Sequence, residues 1–149
     1  MGRVVIGSDQ KAGVMETVVS YFRQRGHEIE LVGALAGEPN ARWPEVGSLV
    51  AQKVARGEAT TGVVACFTGT GVAMAANKVH GVRAALCHDA GAAQGARLWN
   101  HANVLALSIR STTAQVGIEI CDAWMATPDD PEFIRDVSYL DKLVGGDGI

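Results

Sequence analysis

Five short, unbroken apolar runs, separated by stretches of helical periodicity, constrain this chain more than any other feature. The first is Arg3-Val-Val-Ile-Gly7, punctuated by Gly7, Ser8 and Asp9. A run of this kind reads as a strand covered on both faces, because a strand with one wet face would alternate apolar with polar residues. Val14, Val18 and Phe22 then recur every fourth residue, the stripe of an amphipathic helix ending near Gly26. Glu28 to Val32 is expected as a second strand and Gly33 to Arg42 as a loop. Pro44 suits the first turn of a helix whose apolar face is Val46, Leu49, Val50 and Val54. Gly62-Val-Val-Ala-Cys66 is a third strand, followed by a small-residue helix from Val72 to about Lys78. Val82 to Cys87 reads as a fourth strand, Asp89 to Trp99 as a helix, and Val104 to Ser108 as a fifth strand. Val116, Ile120 and Trp124 mark another helix, and Pro131 to about Leu143 a final one with a frayed Gly-rich tail.

Strands alternating with helices imply right-handed βαβ crossovers. The expected fold class is α/β: a single doubly wound, Rossmann-like, five-stranded parallel sheet with helices on both faces, plus a C-terminal helix. The 149 residues fit one domain, 1–149, and 48% hydrophobic against 19% charged residues allows a sizeable core. In such sheets ligands bind beyond the carboxyl ends of the strands, near the switch in strand order. Three turns there carry suitable chemistry: Ser8-Asp9-Gln10, Cys66 to Gly71, and His88-Asp89.

Other functions are disfavoured. A net charge of -3 with scattered basic residues offers no footprint for nucleic acid. Three widely spaced cysteines, Cys66, Cys87 and Cys121, with no C-x-x-C pair, argue against a disulfide framework and a thiolate metal site. No metal and no cofactor are therefore expected. No apolar run approaches the roughly 18 residues of a membrane span, and the first apolar segment is too short for a signal peptide. A cytoplasmic protein is the natural expectation.

Cys66-Phe-Thr-Gly-Thr-Gly71 is the most informative stretch. Its two glycines let successive N–H groups converge on one anion, and the following helix adds the positive end of its dipole. A thiol at that strand end sits in a field favouring its thiolate form. The stretch is not a P-loop, because Gly71 is followed by Val-Ala-Met. Nor is it a dinucleotide fingerprint, because Met74 stands where the third glycine belongs and the turn follows the third strand. Cys87 and Cys121 have no comparable setting and read as core.

Cys66-x-Thr-Gly-x-Gly71, Ala75-Ala-Asn-Lys78, Gly81-Val-Arg-Ala-Ala-Leu-Cys-His-Asp89 and Asn100-x-Ala-Asn-Val-Leu105 resemble the ribose-5-phosphate isomerase B / galactose-6-phosphate isomerase family. Gly7-Ser-Asp9 matches that family's opening motif, and the similarity runs from residue 3 to about 143. The resemblance implies metal-independent aldose–ketose isomerisation of a phosphorylated sugar through a cis-enediolate. It casts Cys66 as the base; the family's other branch uses a Glu where this chain has Ala73. Thr68 joins Cys66 as a catalytic residue, with Gly69, Thr70 and Gly71 forming an anion hole for the enediolate oxygens. Asp9, Gln10, Trp99, Asn100 and His101 are the implied substrate contacts, and Arg110 and Arg135 the phosphate contacts. The resemblance also implies a homodimer or tetramer whose sites combine residues of two subunits.

Four departures from the family pattern bear on chemistry. Gln10 replaces a histidine, Phe67 a glycine, and Trp99 the histidine that opens the sugar ring. Ser138 and Tyr139 stand where paired arginines are usual. Without a ring-opening acid at position 99, either His101 takes the role or the substrate is a shorter or different sugar, such as a tetrose phosphate. The alternative function is a non-catalytic sugar-phosphate-binding protein or the partner subunit of a heteromeric isomerase. A thiol hydrolase is weaker still, since Cys66 has no local base to activate it.

Overall fold

Apolar residues pointing both ways out of each strand require cover on both faces of the sheet, and the fold supplies it. The computed structural model describes residues 2–143. It contains the strands β1 (Arg3–Ser8), β2 (Glu28–Gly33), β3 (Thr61–Cys66), β4 (Ala84–Leu86) and β5 (Val104–Ser108). The helices are α1 (Val14–Gln24), α2 (Trp43–Ala55), α3 (Thr70–Ala76), α4 (Ala90–Asn100), α5 (Ala114–Ala126) and α6 (Ile134–Lys142). Every pairing is parallel and the order is β2-β1-β3-β5-β4. The expected doubly wound sheet with a C-terminal helix is present.

Val4 and Ile6 point into one core with Val14, Val18 and Phe22 of α1 and Ile120 and Trp124 of α5. Val5, between them, points into a second core with Val46 and Val50 of α2 and Val72 of α3. Successive side chains leave a strand on opposite faces. That is why these strands read as continuous apolar runs.

Local differences from expectation have local causes. β4 is shorter than the run Val82 to Cys87, since an edge strand pairs on one side only. Its approach is held instead by the Asn103 side chain, which accepts from the Arg83 N–H at 2.8 Å. The helix after β3 begins two residues early, at Thr70. The loop after β2 contains a 3-10 turn, Ala34–Ala36, and another, Pro131–Phe133, precedes α6. The tail expected to fray lies outside the described residues. Asp89 caps α4, its carboxylate accepting from the Ala92 N–H at 2.7 Å.

The strand order also locates the crevice. From β1 the chain turns outward to β2, then crosses back to β3 on the other side. The connections therefore diverge beyond the carboxyl ends of β1 and β3, the place where open parallel sheets bind ligands.

Candidate active site

Ser8 of β1 pairs with Ala65 of β3, so Asp9 and Cys66 are the next residues out, side by side at the carboxyl edge of the sheet. Cys66 follows Val64 onto the α2–α3 face and is only 5% exposed. It forms the floor of an open cleft of about 510 Å³, with Asp9 on one wall and Thr68 and Thr70 on another. The two threonine hydroxyls are 2.7 Å apart.

The turn between them depends on its glycines. Gly69 caps α3 with φ +77°, in the left-handed region. A Cβ there would lie 2.8 Å from the Leu107 backbone of β5 and 2.6 Å from the Leu86 side chain. Only glycine lets the turn settle onto β5. At Gly71 a Cβ would meet the Trp43 ring at 2.9 Å, so the indole rests directly on that backbone.

Two backbone bonds fix the start of the turn: the Ile109 N–H donates to the Cys66 carbonyl at 3.0 Å, and the Arg110 N–H to the Phe67 carbonyl at 2.8 Å. The exposed guanidinium of Arg110 lies 5.9 Å from the centre of the Phe67 ring. The turns after β1 and β3 thus meet at the thiol and the turn after β5 is bonded to the second of them, while neither the Arg110 side chain nor His88, exposed at the end of β4, lines the cleft.

Asp9 is strained electrostatically. Its Oδ1 is buried and has no hydrogen-bond partner among the described residues. Burial raises its carboxyl above the usual carboxylate range, opposed by a contact with its own backbone N–H. Below the ordinary carboxyl value of about 4, folded and unfolded chains both carry the proton and Asp9 has no effect on stability. As pH rises past that value the unfolded chain ionises first, so the ionised Asp9 penalises the fold at neutral pH. Asp9→Asn is therefore expected to raise the thermal midpoint at pH 7 and to leave it nearly unchanged at pH 3. An equal effect at both pH values would sink this account.

Cys87 and Cys121 are core, as expected. Burial pushes both thiols up to about 12, assisted by Asp89 and Asp122 respectively. Among the described residues no group of His, Cys, Asp and Glu is arranged to hold a metal. No helix among them is long and apolar enough to cross a membrane.

The family model described as Ribose/Galactose Isomerase matches residues 4–142. The chain belongs to this family. It is 35% identical over 131 residues to a D-erythrulose-4-phosphate isomerase of Pectobacterium atrosepticum, covering 87% of this chain and 84% of that one. It is 34% identical to a 4-deoxy-4-sulfo-D-erythrose isomerase of a Clostridium species, covering 84% and 79%. A solved ribose 5-phosphate isomerase from Thermotoga maritima superposes with a TM-score of 0.88 at 34% identity, covering 95% of this chain and 98% of that one. The chain is thus an enzyme of the sugar isomerase type.

Within one chain, not every expected contact reaches Cys66. α4 starts beside the carboxyl ends of the strands and runs back, so Trp99, Asn100 and His101 lie at the amino ends. A strand of β5's length spans roughly 16 Å, at about 3.3 Å per residue. Trp99 is exposed and lies flat on α4, its ring 3.0 Å from where a Cβ on Gly95 would be. Asn100 lines a separate cleft of about 320 Å³ with Asn77, Arg83 and Asp141. His101, expected as a substrate contact, is buried, and its Nε2 lies 2.8 Å from the Asp130 carbonyl. It ties α4 to the 129–130 loop and lines neither cleft. Arg135 is exposed on α6, and the Gln10 N–H donates to Ser8 Oγ at 3.1 Å; neither lines the Cys66 cleft.

Neither Trp43 nor Met74 is among the residues that the sequence points to as site residues, yet both line the cleft. A signal for Trp43 was present. It opens α2, the helix entered from the carboxyl end of β2, and first-turn residues of such helices face the ligand edge.

Proposed function

We propose that this chain interconverts a phosphorylated aldose and its ketose, with Cys66 as the base. The observation that carries the reading is one thiol at the floor of a cleft with Asp9 beside it and Thr68 and Thr70 before it, the turn that carries Arg110 being bonded to the thiol's own. The Cys66 thiolate takes the proton from C2 of the open-chain aldose and the resulting thiol returns it to C1, while the hydroxyl proton of O2 passes to O1 across the cis-enediolate. The threonine hydroxyls and the amides of Gly69 to Gly71 donate to the enediolate oxygens, where charge develops. The unpartnered oxygen of Asp9 accepts from a sugar hydroxyl, and Arg110 takes the phosphate.

A four-carbon substrate suits the cleft best. Trp43, Phe67 and Met74 crowd its rim with apolar bulk. A tetrose 4-phosphate, its 4-oxygen blocked, cannot close a furanose ring and so needs no acid at the position of Trp99. The two relatives named for four-carbon sugars support the same size. Trp99 and Asn100 join the reaction only from a second copy, packed so that the amino ends of one sheet adjoin the carboxyl ends of the other.

Proton NMR in deuterated water with four-, five- and six-carbon aldose phosphates tests this reading. The expected result is ketose formation, with deuterium entering C1, fastest for the four-carbon sugar, from a chain that light scattering shows to be at least dimeric. Saturable binding without exchange for any sugar would instead favour the binding or partner-subunit reading, whose motivation is Gln10 and Trp99 in place of histidines. A fully active monomer would refute the two-copy site.

A further inference from the structure

We infer that Ser108 is a positioning residue, which holds Arg110 at a set place relative to Cys66. The inference rests on the reading of Cys66 as base and Arg110 as phosphate contact. Ser108 ends β5 directly opposite Cys66 in the pairing of β3 with β5, and it is 1% exposed. Its hydroxyl donates to the Phe67 carbonyl at 3.1 Å. The same oxygen accepts from the Ser111 N–H at 3.2 Å and lies 2.7 Å from the Ser111 hydroxyl.

A serine hydroxyl has one proton to give and two lone pairs to receive. All three are engaged here, and all within two turns: the one that carries Cys66 and the one that carries Arg110. Ser108 therefore has nothing left to offer a substrate, so its influence is on geometry. The Ser108 carbonyl adds a fourth tie, accepting from the Thr112 N–H at 3.1 Å. Packing alone would be satisfied by alanine at this strand end. The hydroxyl is what links the two turns through side-chain bonds, alongside the backbone bonds from Ile109 and Arg110.

The consequence is kinetic. The base must meet C2 while the phosphate is held several bonds away, so the separation of the two anchors sets whether the bound sugar is in a reactive pose. A displacement of about 1 Å in such an arrangement is enough to cost about a hundredfold in rate. The backbone bonds survive loss of the hydroxyl, so the turns stay folded but lose their mutual register.

The test is a double-mutant cycle on an aldose phosphate that the wild-type chain turns over. Wild type, Ser108→Ala, Arg110→Ala and the double variant are compared for kcat and KM, with thermal midpoints alongside. Ser108→Ala is expected to lower kcat/KM by about ten- to a hundredfold. With Arg110 already removed, the same change should cost less than about twofold, because there is no longer an arm to position. Ser111→Ala, on an exposed residue, removes one bond of the three and should give a smaller loss that also vanishes without Arg110; it serves if Ser108→Ala does not fold. Losses that multiply in the double variant, or a Ser108→Ala enzyme of wild-type kcat/KM, would overturn the inference alone. Absence of wild-type turnover on every sugar would overturn the functional reading, and this inference with it.

Discussion

Cys66→Ala is expected to lower kcat by about three orders of magnitude, within the range of about 10²–10⁴ that a positioned base contributes. The other ionisable side chain lining the cleft is Asp9, which in the proposed reaction accepts from a sugar hydroxyl. Ala73 stands where a carboxylate base would have to be, and the other two thiols are buried in the core with their protons held up to about 12. The variant should fold, since it removes one sulfur atom from the edge of the second core and the loss of packing is about 1 kcal/mol or less. Cys66→Ser should be nearly as inactive, because it preserves size but replaces the thiol with a hydroxyl that does not ionise near neutral pH. Deuterium exchange at C2 followed by NMR reads the step directly. Exchange within tenfold of wild type in the alanine variant would move the base elsewhere, with Asp9 the next group to test.

Gly69→Ala is expected to destabilise the fold by about 3 kcal/mol and to lower the thermal midpoint by about 10 °C, taking about 2–4 °C per kcal/mol for a chain of this size. Two terms contribute. A left-handed conformation costs a residue with a Cβ about 1–2 kcal/mol. The rest comes from the Leu107 backbone, 2.8 Å from the new atom, which cannot rotate aside as a side chain could. Gly57→Ala separates the two terms: φ there is +75°, but nothing lies within 4 Å of a Cβ. It should cost about 1–2 kcal/mol, the strain alone. Calorimetric scans of both variants make the comparison, and equal midpoints would show that the contact with β5 does not matter. Turnover of Gly69→Ala should fall as well, because relief of the contact lifts Thr68 and Thr70 away from Cys66.

Much of this architecture was legible in the residues because burial on two faces leaves a plain mark. Val4, Val5 and Ile6 had to be a strand covered on both sides, and Val14, Val18 and Phe22 a helix packed on one of them. The Cys66 turn was legible too, since Gly69 and Gly71 announce a tight approach. Periodicity, however, says which face of a helix is covered and not which end of the sheet its last turn reaches. The family resemblance casts Trp99, Asn100 and His101 as substrate contacts, and periodicity gives no sign that in one chain they stand at the amino ends of the strands. His101 also looked available, because a hydrogen bond to a carbonyl 29 positions later leaves no local trace. Trp43 was missed for a related reason: an aromatic residue is apolar enough to fill a core, and only the meeting with Gly71 shows that it walls a cleft.

The sheet order β3-β5-β4 also governs how the chain assembles as it leaves the ribosome. β4 bonds to β5 alone, and β5 is synthesised after it. Until residue 104 emerges, the nascent chain carries β3 with one bare edge and a fourth strand with nothing to join, the kind of unpaired, apolar edge that invites association with other chains. Arrival of β5 closes the gap in a single insertion and, in the same event, supplies the Leu107 backbone on which Gly69 rests. The Cys66 turn therefore cannot settle into its native place before residue 107 has emerged.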